Sequence, residues 1–473
     1  MVKQALVAGG VRMSNITEPV TLPDAAATAS RDLFGQPRGL TWISLTTFWE
    51  AFALYGTQAL MVLYMVDTLL LSGHVENIAG FGPFRAGVES ITGPLSTQAL
   101  AAQIFGLFAG LARFTPVFGG LIGDRWLGRK YTIALGALLM TAGNFAMASE
   151  RLFLLAVLLM ILGAGCMAVN LQSQVGGLYM QGDRRRDDGF QIYYLLLNLG
   201  AFVAPIASGW IGQQWNWSAA FASAGFAMLI GLVIYVLGMR DLPADPPRPS
   251  RAAPAARLTA AERRSVLILF ALVPLMALFW VAQSQVWNVY NLWVRDHVDL
   301  SIAGWSMPVP WLQALDALAP AILVPPILAL WRWQAARGAE PSDIGKMAIG
   351  CAIFGLATTW LAAASWVFGD ISRVPLLWAV AFHFLSNAGW VFFVPIAVAL
   401  FARAAPAKVN AMMLGINSMA VFIGSTVSGR IGGFYETMSP GNFWLLHTAI
   451  IGAGAVIFAL LDRPLRRVLA RAD

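Results

Sequence analysis

Charged side chains are scarce in this chain. Asp, Glu, Lys and Arg together make up 12% of its 473 residues. With 58% hydrophobic residues and a mean hydropathy of +0.67, there is too little polar surface to cover a water-soluble globule of this length. Cysteine is almost missing as well. Cys166 and Cys351 both lie inside apolar stretches, which argues against a disulfide framework or a cysteine metal cluster and leaves them as small buried hydrophobes. The chain has 4 His, at no metal-ligand spacing. It has no nucleophile–base set and no phosphate-cradling glycine loop after a strand. An enzyme is therefore not expected, nor a metal or other cofactor.

Long apolar runs are what the chain does have. Twelve can be read, at roughly 40–66, 98–122, 131–148, 153–179, 190–212, 219–238, 265–292, 304–331, 345–366, 374–402, 410–435 and 442–461. Each is long enough to cross a bilayer as a helix. The 18 Trp and 45 Gly suit such a protein, with aromatics at the interfaces and glycines at close helix contacts. The net charge of +7 raises the question of nucleic acid. Its distribution answers it. The tails and the even-numbered loops hold nearly all of the Lys and Arg, and the opposite side holds Arg85, Arg151, Arg295 and Arg373. This is the positive-inside pattern, so both termini are expected in the cytoplasm and the chain in a cell (inner) membrane, with lipid and not nucleic acid around it. Residues 1–39 carry no leader-like apolar core, and the first span is expected to be its own insertion signal.

The expected organisation is a tail (1–39), a six-span half (40–240), a Pro-, Ala- and Arg-rich linker (241–264), a second six-span half (265–462) and a short tail (463–473). The fold class is an all-α membrane protein of two six-helix bundles, with a substrate site between them near midplane. After span 2 the chain carries Gly119, Gly120, Gly123, Asp124, Arg125, Gly128, Arg129 and Lys130. Glycines allow close helix ends, and Asp beside Arg can pair across a short turn. This resembles the loop signature of the major facilitator superfamily.

Further blocks follow in order. Span 1 has Phe48, Trp49, Glu50, Tyr55 and Gly56; span 4 has Gly163, Gly165 and Asn170, then Tyr179; span 5 has Tyr193, Tyr194, Asn198, Gly200 and Ala201. Span 7 has Phe279, Trp280 and Gln285; span 8 has Trp311, Gln313 and Asp316; span 10 has Gly389 and Pro395, then Ala405 and Pro406, with Gly415 in span 11. Over residues 34–460 these resemble the proton-coupled oligopeptide transporters, also called the peptide/nitrate transporter family. The resemblance implies secondary transport of di- and tripeptides with protons; a monomer is expected, although the sequence itself does not give the oligomeric state. It also makes Asn198 a binder of the peptide backbone.

The departures fall on charge. The family's span 1 motif, Glu-x-x-Glu-Arg, reads Thr47, Glu50 and Ala51 here. Where the family has a tyrosine pair, a nearby Arg, a span 4 Lys, a span 7 Glu, a span 10 Glu and a span 11 Trp, this chain has Leu54 with Tyr55, Gln58, Ala168, Ser284, Trp390 and Asn417. In exchange, Arg113 stands in span 2, Asp316 in span 8 and His383 in span 10.

A charge inside a span is costly and marks function by default. Arg113 keeps its charge and needs an anion or water, so an ion pair with Glu50 is expected, with Arg113 free to take a substrate carboxylate. Asp316 is the opposite pole, for a substrate ammonium or a proton. His383 and Asn387 share a helical face, with Trp390 near it. The proton-coupling candidates are Glu50, Asp316 and His383. Tyr55, Tyr194, Gln285, Asn288, Trp311, Gln313, Asn387, Trp390 and Asn417 complete the expected lining, each with a packing role as its alternative. Arg430, near a span end, fits snorkelling. Two other functions stay open: transport of another small polar solute with weak or no proton coupling, and a transporter-like sensor that does not cycle.

Overall fold

Inside hydrocarbon every backbone N–H and C=O must be paired within the chain, so long apolar runs fold as helices. The computed structural model describes residues 32–33, 35–180, 182–245, 258–369 and 372–469. In chain order its helices are α1 (Arg38–Tyr64), α2 (Phe81–Thr92), α3 (Thr97–Phe114), α4 (Pro116–Ile122), α5 (Arg129–Met147), α6 (Phe153–Gly177), α7 (Arg185–Gln214) and α8 (Trp217–Gly238). A second set follows: α9 (Ala260–Gln285), α10 (Val289–His297), α11 (Leu315–Ala335), α12 (Asp343–Phe368), α13 (Leu376–Ala404), α14 (Asn410–Gly432) and α15 (Pro440–Leu469). Short extended pairs join Asp32–Leu33 to Gln36–Pro37, Val298–Asp299 to Val374–Pro375, and Ser301–Ile302 to Trp305–Ser306.

Among the described residues, 11 helical stretches are long and apolar enough to cross a membrane. The expected twelfth, at 131–148, is α5. It is a helix of 19 residues that opens on Arg129 and Lys130 and packs between α6 and α8. Two spans are broken. Span 2 is split by Pro116, so that α3 stops at Phe114 and α4 begins on a proline. Span 7 is interrupted between α9 and α10, where Gln313 donates to Val286 O at 2.7 Å and to the Asn291 side chain at 2.6 Å. The linker is shorter than expected, because a capping box of Thr259 and Glu262 starts α9 at Ala260. Residues 246–257 of it, and 1–31 of the expected tail, lie outside the described residues. The stretch expected as a C-terminal tail from 463 is helical through Leu469.

Helices α1 to α8 pack mainly among themselves, as do α9 to α15. The halves meet where α3 lies along α14 and where α7 meets Val309–Ala314 and α11. Along the α3–α14 seam the backbones nearly touch. A Cβ on Gly106 would stand 2.4 Å from Ser425 O and 2.9 Å from Gly429 Cα. Polar contacts between the halves gather at the end of the molecule where α1 finishes, here called the distal end. Arg295 pairs with Asp67 and Ser96 bonds Glu436. Gln213 donates to Ser306 O at 2.8 Å, and Trp311 to Ile206 O at 2.9 Å.

The glycine-rich loop signature has a physical basis at the opposite, proximal end. A Cβ on Gly119 would meet Gly165 O at 2.0 Å, so α4 and α6 touch backbone to backbone there. Gly128 takes φ +80°, which favours glycine. Arg129 pairs with Asp124 at 3.0 Å, and its N–H is capped by Asp245 at 2.9 Å. Lys130 donates to Met239 O and Leu242 O at 3.0 and 3.1 Å, clamping α5 to the end of α8.

Candidate functional site

Between the halves lies a cavity of about 760 Å³. Its wall comes from α1, α3 and α7 on one side and α9, α11, α13 and α14 on the other. It reaches toward the proximal end, where Gln191, Tyr194 and Leu195 in the first turns of α7 face Val324 and Pro325 in α11. Pro320, Pro325 and Pro326 interrupt the hydrogen-bond ladder of α11, the helix that carries Asp316.

Arg113 stands in the last turn of α3, just before the Pro116 break, and is exposed to the cavity. Its Nη2 donates to the Tyr55 hydroxyl at 3.1 Å. The Tyr55 ring in turn rests on Trp287, 5.5 Å between centroids. The expected Glu50–Arg113 ion pair does not form. Glu50 is 8% exposed, absent from the cavity wall, and makes no hydrogen bond or ion pair within 4.0 Å among the described residues. It stays near enough to attract Arg113. The direction of the two side chains, which spacing does not give, leaves the guanidinium fork open to the cavity.

Across the cavity, Asp316 sits in the first turn of α11. Its Oδ1 accepts from His383 Nδ1 at 2.8 Å and from Asn387 Nδ2 at 2.9 Å. Asn387 also donates back to His383 O, which locks the pair one turn apart on α13. The Nδ1–H that bonds Asp316 fixes the His383 ring, and its Nε2 is buried with no partner. Asp316 Oδ2 is likewise unpartnered. The Tyr290 ring meets the His383 ring edge-on at 5.2 Å. His383 is fully buried behind Asp316, so it acts through the carboxylate and not on the cavity itself.

Of the other expected residues, Tyr55, Tyr194, Asn198, Gln313, Asn387 and Trp390 line the cavity. Asn198 spends one N–H on Tyr194 O at 2.8 Å and keeps its carbonyl available. Four expected residues are absent from the wall. Gln285 is buried and donates to Ser428 O at 2.8 Å; Asn288 is buried and donates to Ala102 O at 3.1 Å. Trp311 braces α7 from the distal end and packs on Trp305, 5.2 Å between ring centroids. Asn417 buries an unpartnered Oδ1 away from the cavity. The first three serve helix contacts, a use that type and spacing do not distinguish from ligand contact. Sequence reasoning passed over Trp280 and Trp287, which supply aromatic wall, and Gln191 and Gln283, which supply neutral polar wall. Three positions flagged by a lost family charge, Gln58, Ser284 and Trp390, line the cavity. That coincidence was the available signal.

A second cavity of about 510 Å³ lies at the distal end. Its charged residues Asp67 and Arg295 are paired with each other, and Arg373 donates to Arg295 O and Val298 O.

Two helical halves around a central cavity are the architecture of a major facilitator transporter, and the chain is a multi-pass membrane protein of that fold. The POT family profile matches residues 130–261 and 250–444, and the chain belongs to that family. It is 27% identical to the peptide transporter YePEPT of Yersinia enterocolitica subsp. palearctica serotype O:3 (strain YE-P4), over 93% of this chain and 96% of the relative. It is 25% identical to a di-/tripeptide transporter of Lactococcus lactis subsp. cremoris, over 93% and 98%. The crystal structure of a peptide transporter POT in complex with sulfate superposes with a TM-score of 0.81 at 23% identity, covering 93% of this chain and 97% of that one.

Proposed function

We propose that this protein is a secondary active, proton-driven transporter of di- and tripeptides, and that the 760 Å³ cavity is its substrate site. The observation that carries this reading is the placing of Arg113 and Asp316 in one cavity wall, each from a different half. A short peptide is a zwitterion with separated ends. Its carboxylate fits the open guanidinium fork, and its ammonium is drawn to the Asp316 carboxylate on the facing wall. Asn198 offers a carbonyl to a peptide N–H, and Trp280, Trp287 and Trp390 supply sequence-tolerant apolar wall for side chains.

Coupling needs a group whose protonation favours one conformation over the other. Asp316 meets this need. Ionised, it binds His383, Asn387 and the substrate ammonium. Protonated, it releases the ammonium and weakens its tie between α11 and α13. His383 holds the carboxylate in place and shares its proton, and Glu50 is a further carrier in span 1. The charge distribution supports an inner-membrane protein with both ends in the cytoplasm. In that orientation the contacts at the distal end close the outer side, and the cavity opens inward.

The test is uptake of di-alanine by protein reconstituted in liposomes with an imposed pH gradient and potential. Peptide uptake with acidification of the lumen is expected. The Arg113→Ala protein, folded and inserted, should lose most of this uptake; unchanged uptake by it overturns the site. A second reading, transport of another small polar solute with little coupling, is favoured by Gln58, Ser284 and Trp390, neutral residues that line the cavity where family members carry charge. Uptake without acidification would select it.

A further inference from the structure

The α3–α14 seam has two faces. Phe105, Ala109, Val421 and Ser425 turn toward the substrate cavity. The other face, with Gln103, Leu107, Thr426 and Val427, forms the floor of a separate cleft of about 580 Å³. Its roof is α2, a short amphipathic helix. Phe84, Gly87, Val88 and Ile91 of α2 repeat at helical spacing and face the cleft. The cleft is almost wholly apolar at its sides, and no carboxylate lines it. One cation does: Arg430, two residues before the end of α14.

Arg430 has no carboxylate within 4.0 Å among the described residues. Its guanidinium lies 5.7 Å from the Phe434 ring centroid. A guanidinium cannot shed its charge, so near the end of a membrane-spanning segment it calls for water or an anion. Two further polar atoms, buried just behind the cleft's lining, are unsatisfied. Gln103 is 3% exposed, and its Oε1 accepts no hydrogen bond; Thr426 Oγ1 is buried without a partner. Gln103 Nε2 donates to Thr426 O at 3.4 Å, which orients the amide and leaves its acceptor without a partner.

We propose that this cleft is a phospholipid site. The acyl chain lies in the apolar slot between α2 and the seam, and the phosphodiester sits on Arg430 with the Thr426 hydroxyl donating beside it. The headgroup carries a hydrogen-bond donor, an ammonium or a hydroxyl, toward Gln103 Oε1. The planar fork of Arg matches phosphate oxygens, and the slot next to it is shaped for hydrocarbon. A free phosphate would answer the charge and leave the apolar slot empty, which favours the lipid. The occupant touches α2 and α3 of one half and α14 of the other, and so bridges the moving parts.

The experiment is native mass spectrometry of the full chain in detergent, titrated separately with phosphatidylglycerol, phosphatidylethanolamine and phosphatidylcholine, with inorganic phosphate as a control. One retained adduct is expected with each of the first two lipids, and weaker retention with phosphatidylcholine. Arg430→Ala should lower the retained fraction roughly tenfold, the scale of one charge-assisted contact. Gly87→Phe keeps the cation and fills the slot, since a Cβ at Gly87 meets nothing within 4 Å; it should also lose the adduct. A melting temperature within the error of the parent shows that both variants fold. Equal adducts in either variant, equal retention of phosphatidylcholine, or equal protection by inorganic phosphate would each overturn the site. None of these readouts depends on what the central cavity transports.

Discussion

Arg113 and Asp316 differ in how much protein stands behind them. Arg113 leans on one phenol and is open to the cavity; Asp316 is braced by His383 and Asn387. Arg113→Ala should therefore cost substrate recognition and little stability. Losing a charge-assisted pair worth about 1.5–3 kcal/mol predicts a fall of about 10- to 100-fold in uptake efficiency with an unchanged melting temperature. Arg113→Lys should recover part of it, since a point charge replaces the fork. Asp316→Asn should abolish pH-driven accumulation in liposomes yet allow exchange of labelled for unlabelled di-alanine across the membrane. Loss of both activities, with the protein folded, would place the part of Asp316 in substrate binding and not in coupling alone. The charges themselves were legible, because a formal charge inside an apolar run has few innocent explanations. The neutral residues were not. Asn387 and Asn288 are both amides in spans; one reaches the cavity and the other a backbone carbonyl across the seam. That difference rests on a rotation of the helix, which neither composition nor period reveals.

At the scale of elements, the apolar runs gave the helices and left out whatever polar or short segments do. Helix α2 falls between the first two apolar runs, because a 12-residue amphipathic piece is too short to register as a span. It is pinned by Glu89, whose carboxyl is held below the ordinary carboxylate range first by the Leu95 backbone N–H and then by Arg85. A carboxyl lowered in the folded state stabilises above its ordinary value and stops doing so as pH falls through the lowered one. Glu89→Gln should therefore raise proteolytic cleavage within 81–95 at neutral pH, and the difference from the parent should vanish in strong acid. The α4–α6 contact makes a second prediction. A methyl at Gly119 would press on Gly165 O, 2.0 Å from the unmoved Cβ position. Overpacking of this kind costs about 1–3 kcal/mol, so Gly119→Ala should lower the melting temperature by about 1–3 °C. The glycine motif announced this closeness from sequence alone, although not which helix would press against it.

For the whole molecule, the two-bundle fold was readable from the run of spans, and a cavity lies between the halves. Which end would be shut was not readable, because contacts such as Asp67 with Arg295 join residues far apart in the chain. An exposed pair of this kind contributes about 0.2–1 kcal/mol, enough to move a two-state population by up to about fivefold. Asp67→Asn should raise labelling of cysteines placed on the distal side of the cavity by about that factor. Exchanging the two charges, Asp67→Arg with Arg295→Asp, should bring labelling back. Equal labelling in all three proteins would show that the pair does not bias the conformation.

Gly106 and Gly429 give that balance its mechanical character. With no side chains between them, the two halves bear on each other as bare surfaces at one line, and that line is the natural fulcrum for rocking. Even a methyl group there would act as a shim. It would spread the whole assembly from a point that touches neither substrate nor proton, and the damage would appear as a transporter that binds normally and turns over slowly.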